Sequence, residues 1–239
     1  MTSFGHPHRH FRITDSTNER ARELALAGAP CGTVVTAAEQ TAGRGRRGRA
    51  WTAPTGKALL YSAILRPLEP GHRLLPLAAP LAVCEAVESL APLRCRVKWP
   101  NDVWIEERKV AGVLIEAHPP DWAVIGIGLN VAVGEDEFPD DVRWPATSVG
   151  HGVGIAAARR ALDERLAWWV GSDPGRVLEA YRRRDALRGR RVSWEGAGGE
   201  VGAGAGVADG IDERGNLIVV AEAGRRLSLG AGEVQLRVS

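Results

Sequence analysis

The sequence predicts a mixed strand-and-helix domain followed by a small all-β domain, with the boundary between residues 187 and 188. Three observations carry this expectation. The chain has 239 residues, enough for a medium-sized domain and a small one. Strand-like apolar runs alternate with helical periodicities up to Leu187. Composition then shifts near Gly189, and from Val192 onward the chain consists of short β segments separated by glycine turns.

Residues 10–13 read as a short strand leading into Asp15, Ser16, Thr17, Asn18 and Glu19. Ser16 followed three residues later by Glu19 is a capping-box pattern, so a helix runs to about Ala27 and stops at Gly28. The hydroxyls, amide and N–H groups at that helix N-terminus suit a small polar head group as well as they suit capping. Residues 32–38 and 57–65 are strand patterns on either side of a basic loop. Residues 74–90 repeat Leu77, Leu81, Cys84 and Val87 at helical spacing, with Pro76 and Pro80 expected to move the helix start later. Strands at 94–99 and 103–105 flank the turn Pro100-Asn101-Asp102, and a hairpin tip at 106–108 returns the chain as a strand over 109–116. That arrangement places Lys98, Asn101, Asp102 and Lys109 at one sheet edge, although a lysine opening an apolar strand also suits a snorkelling surface position.

Residues 122–131 form a nearly continuous apolar strand in which Gly126 and Gly128 clear one face for a ligand or another backbone, and Asn130 ends it. An acidic, proline-bearing loop covers 135–145, and helices are predicted over 155–170 and 174–187, the second with Pro174 in its first turn. Strands at 191–194, 199–211, 217–220, 226–229 and 234–237, with a turn at 212–216, make a small β-barrel of about 50 residues. Val201 and Val207 anchor its glycine-rich part, which otherwise resembles a linker.

Hydrophobic residues at 44% and charged residues at 25% are ordinary for a globular protein. A net charge of +2 supplies no global field for nucleic acid. No apolar run approaches the roughly 18 residues that span a bilayer and no signal-peptide core is present, so neither a membrane nor export is expected. Cys31, Cys84 and Cys95 form no C-x-x-C pair and leave one over, which favours a reducing, cytoplasmic setting. His6, His8 and His10 alternate near the N-terminus without carboxylate partners, and no metal site is assigned to them.

The stretch from Gln40 to Trp51 organises the rest. Four arginines and three glycines occupy the seven residues from Gly43 to Arg49. Glycine lets backbone N–H groups approach a ligand closely, and arginine offers a planar fork matched to carboxylate and phosphate. Ending in Trp51, the loop suits an anionic ligand with a flat base attached. Lying between two strands, with no G-K-[ST] after the glycines, it is not a P-loop. An RNA-binding Arg/Gly arm remains open from these residues alone.

Five stretches in one order resemble the biotin protein ligases: Asp15-Ser16-Thr17-Asn18; Gln40 through Trp51; Lys98-Trp99-Pro100-Asn101-Asp102-Val103; Lys109-Val110-Ala111-Gly112; and Gly126-Ile127-Gly128-Leu129-Asn130. With the C-terminal β segment, the resemblance covers nearly the whole chain. It implies an α+β fold of the biotin/lipoate ligase type, similar to class II aminoacyl-tRNA synthetases, with a mixed-sheet catalytic domain over 1–187 and an SH3-like barrel over 188–239. It also implies a ligase that joins biotin to ATP as biotinyl-adenylate. The same enzyme then passes biotin to a lysine of the carboxyl carrier domain of a biotin-dependent carboxylase, of the acetyl-CoA carboxylase type. ATP and biotin are substrates in this scheme, with Mg²⁺ accompanying ATP.

By the same resemblance, Ser16, Thr17, Asn18, Gln40, Arg44, Gly45, Arg46, Lys109 and Gly112 bind biotin. Arg44, Arg46, Arg49, Trp51, Lys98, Asn101 and Asn130 bind ATP and the adenylate. Arg46, Lys109 and Asp102 are catalytic, Asp102 by ordering or deprotonating the acceptor lysine. With about nine residues before the first strand, the expectation is a monofunctional form without an N-terminal DNA-binding domain. Sheet edges suit a monomer or a weak homodimer equally. The alternatives are a lipoate-type acyl ligase or transferase on the same fold and, more remotely, a non-enzymatic RNA-binding module.

Overall fold

In the computed structural model, residues 3–139, 145–196, 202–221, 224–231 and 234–238 are described, with side chains throughout except at 196 and 234–238. A seven-stranded sheet runs through the larger part of the chain. Its strands are β1 (His8–Thr14), β2 (Val34–Gln40), β3 (Ala58–Leu65), β4 (Cys95–Lys98), β5 (Asp102–Ile105), β6 (Arg108–His118) and β7 (Trp122–Asn130), in the order β1-β2-β3-β7-β6-β5-β4. β1 and β2 pair in parallel and the other neighbours are antiparallel, so the sheet is mixed. The hairpin tip between β5 and β6 is Glu106-Glu107, both at positive φ (48° and 65°), and Arg108 already belongs to the strand.

The sheet is covered differently on its two sides. Helices α2 (Leu75–Leu90) and α3 (Ile155–Val170) cover one face, and β3 is buried at every position between that layer and the other. The Tyr61 hydroxyl donates to Asp163 Oδ1 on α3 at 2.9 Å, tying the central strand to this layer. The prolines do not delay α2. Pro76 sits in the first turn, where its missing N–H has no partner to lose, and the helix continues through Pro80 with Leu77, Leu81 and Cys84 buried.

Helix α1 (Thr17–Leu26) covers only part of the opposite face. Ala21 and Ala25 pack there on Val35, Ile64, Trp122 and Val124. Side chains alternate along a strand, so the face of β7 that carries Trp122 and Val124 next carries Gly126 and Gly128. An apolar shelf under α1 thus becomes a bare floor two residues further on.

Helix α4 (Pro174–Arg184) ends three residues earlier than the sequence suggests. Asp185 leaves the helical region and its carboxylate accepts the Leu187 N–H at 2.8 Å, a local bond that competes with another helical turn. The chain then forms β8 (Arg191–Gly196), β9 (Gly204–Ile211), β10 (Leu217–Ala221), β11 (Arg226–Leu229) and β12 (Val234–Val238). These make a five-stranded antiparallel sheet in the order β11-β10-β9-β8-β12. β9 starts later than expected, Val201 lies outside the described residues, and Val207 is exposed, so it is not the anchor the sequence suggests. The turn at 212–216 docks this sheet: Trp99 Nε1–H donates to the Gly215 carbonyl at 3.0 Å, and Leu74 and Leu77 lie against Gly215. Among the described residues no helix is long and apolar enough to cross a membrane.

Candidate active site

The uncovered face of the sheet holds a cleft of about 590 Å³, within the usual range for small-molecule sites. Ser16, Thr17, Asn18, Gln40, Arg44, Gly45, Arg46, Arg49, Trp51, Asn101, Asp102, Lys109, Gly112 and Asn130 all line it. Lys98 is the one predicted site residue outside this lining; it is buried directly behind Asp102.

The neutral end begins where β2 meets α1. Ser16 occupies the N-cap position with extended backbone, yet its side chain makes no cap bond, so the expected capping box does not form. Gln40 caps instead, across the sheet: its Oε1 accepts the Thr17 N–H at 2.7 Å. Glu19 is drawn away by Arg22 and by Arg44, which lies 2.8 Å from its carboxylate. Its hydrogen bond from Arg22, ahead of the opposing effect of burial, holds the Glu19 carboxyl below the usual glutamate range. Asp15 accepts the Ser16 N–H at 2.6 Å.

Behind these residues lie two that the sequence did not single out. Ser62 Oγ is 2.8 Å from Thr17 Oγ1 and 2.6 Å from Asn18 Oδ1. Glu116 Oε2 accepts from Asn18 Nδ2 at 2.6 Å. Their signal was faint, one serine inside the apolar β3 and a carboxylate near the end of β6.

Glycines make the floor. A Cβ at Gly126 would stand 2.0 Å from Asn18 Oδ1, and one at Gly128 would stand 2.3 Å from the Trp51 ring. At Gly112 it would meet Lys109 Nζ and the Trp51 ring at 3.1 Å. The alternate glycines therefore admit the Asn18 amide and the Trp51 indole onto the sheet.

The charged end is assembled from three segments. The arginine loop folds back on itself: Gly45 N–H donates to the Arg49 carbonyl at 2.7 Å and Trp51 N–H to the Gly43 carbonyl at 2.9 Å. Arg46 projects from it, with Nη1 3.4 Å from Asn101 Oδ1 and Nη2 donating to the Ala231 carbonyl just beyond β11. Burial, and then the neighbouring Arg47 cation, make this guanidinium less basic than an exposed one, though it stays charged. Arg44 turns toward the neutral end and pairs with Glu19 at 2.8 Å and Glu116 at 3.7 Å.

Asp102 lies between two lysines, 2.7 Å from Lys109 Nζ and 3.6 Å from Lys98 Nζ. Lys109 Nζ also lies 5.3 Å from the Trp51 ring centroid. Burial alone would raise the Asp102 pKa, but attraction to Lys109 and then Lys98 outweighs it and holds the carboxyl below the usual aspartate value. Asn101 Nδ2 donates to the Val113 carbonyl at 2.8 Å and Asn130 Nδ2 to the Thr147 carbonyl at 3.1 Å, which fixes both amides. Among the described residues no group of three His, Cys, Asp or Glu side chains could hold a metal ion.

One end thus presents hydroxyls and amides, and the other presents lysine and arginine cations. Fold and cleft together define a mixed α+β protein with a small-molecule site that changes from polar and neutral to cationic along its length. The sequence profile of the Biotin/lipoate A/B protein ligase family matches residues 10–130. The chain belongs to that family.

It is similar to the Biotin–[acetyl-CoA-carboxylase] ligase of Mycobacterium tuberculosis, 35% identical over 237 residues covering 92% of this chain and 85% of that protein. It is also similar to the Bifunctional ligase/repressor BirA of Bacillus subtilis, 39% identical over 160 residues, 64% of this chain and 49% of that protein. The chain thus spans about half the length of these bifunctional relatives. Among solved structures, the biotin protein ligase of Aquifex aeolicus in complex with biotin and ATP superposes with a TM-score of 0.81 at 29% identity, over 98% of this chain and 100% of that one.

Proposed function

We propose that this protein is an ATP-dependent biotin–protein ligase. The observation that carries the reading is the glycine-floored cleft, with Ser16, Thr17, Asn18 and Gln40 at one end and Lys109, Arg46 and Asp102 at the other. The M. tuberculosis relative is named a biotin–[acetyl-CoA-carboxylase] ligase, and the A. aeolicus structure contains biotin and ATP.

Biotin lies with its ureido ring among Ser16, Thr17, Asn18 and Gln40 and its carboxylate toward Lys109 and Arg46. Arg49, Trp51, Asn101 and Asn130 receive ATP, with the adenine near the Trp51 indole. A carboxylate oxygen attacks the α-phosphorus and pyrophosphate leaves. Lys109 and Arg46 offset the repulsion between the two anions and the charge that develops on phosphorus. Lys98 acts from behind, through Asp102. Mg²⁺ would accompany ATP, held by its phosphate oxygens.

In the second step the ε-amine of a carrier lysine attacks the acyl carbon of the mixed anhydride, AMP leaves, and the nitrogen loses its proton. Asp102, held ionised by two lysines, is a weak base. Its part is to orient the incoming ammonium rather than to deprotonate it. The acceptor is a carboxyl carrier domain of a biotin-dependent carboxylase. In this reading residues 1–187 form the catalytic domain, residues 188–239 form an SH3-like barrel, and the free Cys31, Cys84 and Cys95 suit the cytoplasm.

The test incubates the protein with biotin, Mg·ATP and a purified carrier domain and weighs the carrier by mass spectrometry. One biotinyl adduct on a single lysine is expected. Transfer of lipoate in its place would assign the cleft to the lipoate branch of the family.

A further inference from the structure

The hydroxyl–amide chain under the neutral end has three oxygen–oxygen contacts for two hydroxyl hydrogens, and the two shorter contacts take them. The Glu116 carboxylate can only accept, so Asn18 must turn its NH₂ toward it and its carbonyl toward Ser62. Two oxygens 2.6 Å apart need a hydrogen between them, and at that contact Ser62 supplies it. Ser62 Oγ, its hydrogen directed to Asn18, then accepts from the Thr17 hydroxyl 2.8 Å away. Thr17 Oγ1 is also 3.0 Å from Gln40 Oε1, but a hydroxyl donating there would leave the Thr17–Ser62 pair with no hydrogen. Gln40 Oε1 keeps the Thr17 backbone N–H, which leaves the Gln40 NH₂ as a donor. At the cleft, Thr17 then offers lone pairs and Gln40 offers N–H groups.

We propose that Glu116 is a positioning residue that sets the donor–acceptor polarity of the neutral end through Asn18, Ser62 and Thr17. The resulting pattern selects a ring with N–H groups beside a carbonyl over a ring of similar size without hydrogen-bonding groups. The inference rests on the biotin reading and narrows it: Glu116 touches no substrate, yet it decides which heterocycle the pocket takes. An unpaired or wrongly turned amide opposite a ligand is penalised in proportion to the hydrogen bonds it fails to make. A dithiolane ring, having none to make, is indifferent to the orientation.

The experiment measures binding of biotin and of lipoic acid by titration calorimetry to wild type, Glu116→Met, Glu116→Gln, Ser62→Ala and the Glu116→Met/Ser62→Ala double variant, with the KM for Mg·ATP alongside. Methionine keeps the length but removes the acceptor, so biotin affinity should fall about tenfold. Glutamine restores an acceptor and should recover affinity to within about threefold of wild type. Lipoic acid affinity and the ATP KM should stay within about twofold throughout, and the double variant should be no weaker than about twofold beyond the worse single one, because both interrupt one chain. Unchanged biotin affinity in Glu116→Met, equal losses for biotin and ATP, no recovery with glutamine, or additive losses in the double variant would each overturn the proposal. A wild-type protein that binds lipoic acid and not biotin overturns the ligase reading itself, and this inference with it.

Discussion

At the neutral end of the cleft, Thr17, Asn18, Gln40, Ser62 and Glu116 stand on strands or on the first turn of α1, and each is held by another of the set. At the Arg46 end, the guanidinium stands on a glycine-hinged loop and rests on the Ala231 carbonyl, just beyond β11 and 185 residues away. The neutral end is therefore ordered before a ligand arrives. The charged end can rearrange, since Arg46 must exchange Ala231 and Asn101 for an anion. Fixing a loop costs roughly 1–2 kcal/mol per residue. A charge pair at 4 Å contributes about 4 kcal/mol of gross attraction at an effective dielectric of 20, before desolvation is subtracted. Affinity for the head group should thus come from preorganisation, and commitment to reaction from loop closure.

The sharpest way to break this contrast uses two glycines on one strand. Gly126→Ala forces a methyl onto the Asn18 amide, and Gly128→Ala forces one onto the Trp51 ring. Overpacking of this kind costs about 1–3 kcal/mol or more. Gly126→Ala should weaken biotin by about a hundredfold with ATP binding largely kept. Gly128→Ala should do the reverse. Equal losses in both, measured by calorimetry, would mean that the cleft does not divide as described.

Next in size is Lys109→Ala, which removes the cation between Asp102 and Trp51. The rate of adenylate formation should fall by about 10²–10³, with a much smaller loss of biotin affinity. Single-turnover kinetics separates the two quantities, and a loss confined to biotin binding would move Lys109 out of the chemistry.

Arg46→Gly removes the loop cation and its tie to Ala231 while adding freedom to the open state. Biotin and adenylate affinity should fall at least about tenfold, or 1.4 kcal/mol. The anhydride should then escape and label unrelated lysines. An adenylate lifetime equal to wild type would show the loop to be a passive turn.

The smallest effect concerns pH. Folding depresses the Asp102 pKa, so its stabilising contribution is complete above the unfolded carboxylate value of about 3.9. That contribution is lost as pH falls through the lower folded value. Between about pH 5 and 8 Asp102 should leave the transfer rate flat. An acidic limb near pH 6 that disappears in Asp102→Asn would make Asp102 a general base after all.

The same contrast explains what the sequence could disclose. The arginine loop, the Lys98–Asp102 turn and Lys109 carry dense chemistry in short spans, and the alternation of Gly126 and Gly128 announces an opened face. Ser62 and Glu116 were hidden because neither belongs to a motif along the chain, and only the register of β3, β7 and β6 brings them to Asn18. Ser16 and Glu19 show a local rule overridden by competing contacts, since Asp15 accepts the Ser16 N–H that Glu19 would take in a capping box, and Arg22 and Arg44 hold the Glu19 carboxylate. The Arg46–Ala231 contact joins the loop to a segment that no sequence pattern connects to it. Helix cores and strand centres were legible, whereas the end of α4 depended on one aspartate turning back to its own backbone.

ATP–pyrophosphate exchange tests the central claim most directly, because it isolates the step for which the neutral and charged ends must act together. Wild-type protein with Mg·ATP should exchange labelled pyrophosphate into ATP when biotin is present, and remain at background with lipoate or with no acid. Exchange driven by lipoate, or no exchange with biotin, would contradict the account.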